Sequence, residues 1–162
     1  MASNRPVVHQ IAWISLIPNF ILFVLLVYIV GRIAPPAIAN GLIIILYMAI
    51  ILALRGIPRN HRKGVKFFKS GQYAQAISEF QKSYEFFMKH AWIDKYRFFV
   101  LLSSSRISYK EMALLNTAFC YTQTGQGGLA KEYYEKTLAQ FPDSEMAKSA
   151  LRMMQSLTDE DE

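Results

Sequence analysis

The stretch IAWISLIPNFILFVLLVYIV, residues 11–30, holds twenty consecutive positions without a charge. As a helix rising about 1.5 Å per residue, it is long enough to cross the roughly 30 Å hydrocarbon core of a bilayer. A second uncharged run, AIANGLIIILYMAIILAL at 37–54, follows after only Gly31-Arg32-Ile33-Ala34-Pro35-Pro36. The remaining hundred or so residues cannot cover two helices that are apolar all round. Residues 11–54 are therefore expected to form a transmembrane helical hairpin with spans 11–30 and 37–54. A cleaved leader is the competing reading, since Arg5 supplies a basic start and Ala37-Ile38-Ala39 imitates a cleavage site. The first apolar run exceeds the ~7–15 residues usual in such leaders, and a second membrane-length run follows at once. The hairpin is the better reading.

Charge placement sets the expected orientation. Residues 1–54 carry only Arg5 and Arg32 and no acid, whereas 55–69 add Arg55, Arg59, Arg62, Lys63, Lys66 and Lys69. From Ser70 onward ten bases face twelve acids, so the net charge of +6 comes from one short basic stretch. Lys and Arg are retained on the cytoplasmic side, so both termini, including the N-terminal segment 1–10, are expected there. Arg55, Arg59, Arg62 and Lys63 would lie at the membrane surface, as topology markers or against anionic headgroups. Nucleic-acid binding by this stretch is disfavoured because it abuts the bilayer and the rest of the chain is slightly acidic. Ala37, Gly41, Ala49 and Ala53 recur at four-residue steps on the second span; Ala12, Ser15 and Asn19 form a similar stripe on the first. Such stripes either zip the hairpin together or dock a partner's helix.

The soluble part repeats itself. Gly64, Phe67, Gly71, Ala76 and Phe80 match Ala118, Tyr121, Gly125, Ala130 and Tyr134, and the second set closes on Pro142. Small residues let two helices cross closely, aromatics fill the space between them, and glycine turns the chain. This order resembles the tetratricopeptide repeat, a helix–turn–helix unit of about 34 residues. The first unit lacks the closing proline. The fold class expected is all-α: the hairpin, then a short antiparallel α-solenoid over 55–157, ending in an acidic tail at 158–162. Helices are expected at 59–70, 73–90, 111–124 and 128–140, with a last one after Asp143 or Ser144 as N-cap. In that helix Ala147, Ala150, Leu151, Met154 and Leu157 share one face and would cap the stack.

The resemblance implies binding along the face lined by the first helix of each pair. The residues it places there are Arg62, Val65, Phe68 and Lys69, then Asn116, Phe119 and Gln123, with His61, Met112, Leu115 and Thr122 beside them. Some members of the family clamp a peptide's terminal carboxylates with Lys and Asn, a set to which Arg62, Lys69 and Asn116 would contribute. His61 and Val65 stand where that clamp has Lys and Asn, which argues against recognition of chaperone tails.

An insertion at about 91–110, AWIDKYRFFVLLSSSRISYK, breaks the repeat period. It reads as a helix extension packed on the repeats, as an interfacial element, or as a partner-binding insertion. Catalytic chemistry has little support. His9, His61 and His90 are scattered, and Gly125-Gln126-Gly127-Gly128 lacks the Lys-Ser/Thr of a phosphate loop. Asp94 and Glu111 read as solvated or ion-paired, and the single cysteine, Cys120, as a small buried core residue. No enzyme activity, cofactor or metal is expected. The expected role is a membrane-anchored adaptor for a protein or peptide partner, or an accessory subunit of a larger membrane complex.

Overall fold

The structure, a computed structural model, describes residues 16–159, with the side chains of 157–159 excepted. The N-terminal segment 1–10, the first five residues of the expected first span and the end of the acidic tail lie outside the described residues. The described residues form nine helices and no strand. They belong to two compact units, one containing 16–58 and 92–106, the other 59–91 and 107–159.

The first unit is built on α1 (Leu16–Ile33) and α2 (Pro36–Gly56). Both are long and apolar enough to cross a membrane, at about 27 and 31 Å for 1.5 Å per residue. Pro35-Pro36 sets the break between them: a residue before proline is driven from helical geometry, while proline suits the first helical position. Val30, Ala39 and Ile43 close the tip of the hairpin, backed by Leu26, Ala34 and Leu42. Phe23 meets Tyr47 edge-on with ring centres 5.9 Å apart. Most other side chains of the two helices are exposed. The small stripe of α2 does not zip the hairpin: Ala37, Gly41, Ala49 and Ala53 are exposed, and nothing lies within 4 Å of a Cβ built on Gly41. Larger Ile43 and Tyr47 take the contact with α1 instead.

The same unit takes in α5 (Ala91–Lys95) from Trp92 onward and α6 (Arg97–Val100), and α6 touches α1. Arg97 holds this segment together. Its guanidinium donates to the carbonyls of Asp94 (3.1 Å), Ser105 (3.2 Å) and Arg106 (2.7 Å). Its own carbonyl accepts from the amides of Leu101 and Ser103, around the left-handed Leu102 at φ 48°.

The second unit contains α3 (Arg59–Lys69), α4 (Tyr73–Lys89), α7 (Tyr109–Gln123), α8 (Gly127–Gln140) and α9 (Glu145–Asp159). Each packs on the next of these five. The α3–α4 and α7–α8 turns are copies of one another. Gly71 and Gly125 sit at φ 75° and 73°, the left-handed region open to glycine. Gln72 and Gln126 each donate a backbone N–H at 2.9 Å to the carbonyls of Phe67 and Tyr121. Gly71 and Gly125 donate to Phe68 and Thr122, completing the same six-residue helix ending in both pairs. Ala76 and Ala130 are fully buried at matching positions. Ala147 is buried against the second pair, with Ala150, Leu151 and Met154 packed beside it.

Candidate functional site

The residues expected on the open face divide into two groups. Arg62, Lys69 and Gln123 are exposed, and Val65, Asn116 and Phe119 are half-buried. Phe68 is buried, its ring 5.5 Å from Phe119 and 5.9 Å from Tyr73. The two phenylalanines join α3 to α7, so Phe68 holds the floor of that face together instead of facing outward. His61 is also buried. Its ring packs edge-on to Tyr109 at 5.2 Å and tilted to Phe80 at 5.5 Å, with Nδ1 3.5 Å from the Ser83 hydroxyl. Of the basic residues, Arg59, Arg62 and Lys63 are exposed on α3, and Arg55 is exposed in the last turn of α2.

A second surface lies where α4, α7 and α8 meet. Gln81, Tyr84 and Glu85 of α4, Leu114 and Thr117 of α7, and Tyr133 and Lys136 of α8 line a cleft of about 320 Å³. Its polar groups bridge the helices. Gln81 Nε2 donates to the Tyr133 hydroxyl at 2.8 Å, and Tyr84 shares a hydrogen bond with Gln140 at 2.7 Å. Lys136 Nζ lies over the rings of Tyr84 and Tyr133, at 5.1 and 5.5 Å. An ammonium over two ring faces is held by their quadrupoles while it remains in water. Sequence reasoning missed this cleft. Its only trace is helical spacing, Gln81–Tyr84–Glu85 on one helix and Tyr133–Lys136 on another, which does not reveal that the two stripes meet.

No protein-family model matches the chain, and comparison with curated proteins and solved structures gave no significant match.

Among the described residues, no three of His, Cys, Asp and Glu gather as they would around a metal ion. Asp94 and Glu111 are buried rather than solvated. Cys120 is buried, and desolvation pushes its thiol up to about 12. Tyr134 is buried as well; desolvation raises its hydroxyl above the usual tyrosine range against the opposing hydrogen bond to Thr122. Both shifts favour the uncharged form and suit packing rather than nucleophilic attack.

Proposed function

We propose that this chain is a membrane-anchored adaptor of tetratricopeptide-repeat type. Its hairpin sits in the inner or plasma membrane of the cell, with both termini and the helical pairs on the cytoplasmic side. The pairs bind a protein or peptide, and no reaction is catalysed. The duplicated turn carries this reading: Phe67–Gln72 and Tyr121–Gln126 make the same hydrogen bonds and carry the same left-handed glycine. A chain that repeats one helix pair builds an extended surface suited to binding, and Arg62, Lys69, Asn116 and Gln123 are the accessible residues that the resemblance assigns to it. The topology rests on the cations of 55–69, opposed by Arg32 alone in the loop.

A second reading, an accessory subunit that contacts its complex through the hairpin, is favoured by one observation. Ala37, Gly41, Ala49 and Ala53 leave a small-residue face of α2 uncovered, which would let another membrane helix approach closely. Photo-crosslinking in intact cells separates the two. With a crosslinkable residue at Asn116 or Gln123, the adaptor is expected to give discrete protein adducts. Adducts from Gly41 and Ala49 alone would favour the subunit instead. None from either set would overturn both.

A further inference from the structure

The 92–106 segment shows one-sided exposure. Trp92, Tyr96 and Phe99 are 58%, 51% and 64% exposed. They follow the i, i+4, i+7 spacing that puts residues on one stripe of a helix, and α5 and α6 are separated only by Tyr96. The opposite stripe is turned inward: Ile93, Asp94 and Leu101 are buried and Arg97 is half-buried. Large aromatics are costly to leave in water, at about 25 cal/mol per Å² of apolar surface. Their exposure therefore calls for a cover.

The compact unit that holds them identifies that cover. This segment clusters with α1 and α2, and α6 touches α1, the apolar helix whose own side chains are mostly exposed. The aromatics thus belong to the same unit as the two helices long and apolar enough to cross a membrane. Their chemistry suits the boundary of a bilayer: Trp and Tyr carry an apolar ring with a polar edge and favour the headgroup level. Lys95 Nζ lies 5.6 Å from the centre of the Tyr96 ring, a cation beside an aromatic as at a membrane surface. Arg97 is engaged otherwise, its guanidinium bonded to the carbonyls of Asp94, Ser105 and Arg106. It shapes the segment and leaves the aromatics to make the contact.

We propose that residues 92–99 form an interfacial membrane contact, with Trp92, Tyr96 and Phe99 seated among lipid headgroups beside the hairpin. This rests on the reading of α1 and α2 as membrane spans, and one experiment tests the two separately. The full chain is reconstituted in vesicles of phosphatidylcholine with phosphatidylglycerol. The chain has two tryptophans, so Trp13→Phe leaves Trp92 as sole reporter. Trp92 is expected to emit blue-shifted and to lose most of its emission to lipid brominated near the headgroup, with little loss to aqueous iodide. A second variant, Trp13→Phe with Trp92→Phe and Leu25→Trp, reports on α1 and is expected to be quenched by lipid brominated near the chain end. If Leu25→Trp is quenched in this way but Trp92 responds to iodide alone, the interfacial contact is overturned and the anchor stands. Trp92 shielded from both quenchers means protein covers it, which also overturns the proposal. If no lipid quencher reaches Leu25→Trp, the anchor fails and the interfacial contact with it.

Discussion

Cys120 and Gly64 illustrate how single residues set the properties of the helical pairs. With no exposed surface, the Cys120 thiol is pushed by burial from its ordinary 9.0 up to about 12. The thiolate is the reactive form, so the native chain is expected to ignore a thiol reagent such as Ellman's at neutral pH and to react fully once unfolded. The same shift links stability to pH. The contribution is fully present below pH 9 and is lost as pH rises toward about 12, because the unfolded chain releases a proton that the folded chain retains. Denaturant midpoints should therefore fall across that interval. Gly64 is there for space. A Cβ on it would stand 2.7 Å from two atoms of the Phe80 ring, which is fully buried and cannot swing clear. Gly64→Ala gains about 1 kcal/mol of helix propensity but meets an overpacking cost of about 1–3 kcal/mol. A net loss of up to about 2 kcal/mol is expected, read as a lower urea midpoint.

One helix start was less legible than the others. The start of α7 was expected at 111, and it lies at Tyr109 with Ser108 as its cap. Ser108 Oγ accepts from the Glu111 amide at 3.1 Å, and the Ser-x-x-Glu spacing that marks such a start is present in the sequence. It was hidden by the insertion, whose aromatics and serines blur any period. Ser144 is the converse case. Its carbonyl accepts from the Lys148 amide at 3.1 Å, as a residue in the cap position should, but its hydroxyl is buried without a hydrogen bond. Ser108→Ala is expected to cost about 1 kcal/mol, and Ser144→Ala clearly less, in parallel denaturant titrations. The small residues of α2 carry a related lesson. Four-residue spacing placed Ala37, Gly41, Ala49 and Ala53 on one face correctly, but which face meets α1 depends on how the hairpin is rotated. The Pro35-Pro36 turn and the fit of Val30 against Ala39 and Ile43 decide that.

At the scale of the whole molecule, the order and approximate limits of the main helices were legible, as were the two turn glycines, the buried Cys120 and the apolar character of α1 and α2. The helices, the turns and the apolar spans follow from interactions within a few residues: helical periodicity, proline and glycine geometry, and the absence of charge over a membrane length. What pairs across long separations was not legible. Gln81 bonds Tyr133 from 52 residues away and Tyr84 bonds Gln140 from 56, so the cleft between α4 and α8 exists only once the pairs stack. His61 looked like an open-face residue until α3, α4 and α7 closed around it. The insertion left three readings open because its composition suits each of them. Its grouping with α1 and α2, and the exposure of Trp92, Tyr96 and Phe99, came from tertiary structure alone. The uncharged run at 11–30 was sufficient by itself to announce a helix that water does not favour. What shares its surroundings was decided by packing between distant segments, which no local pattern encodes.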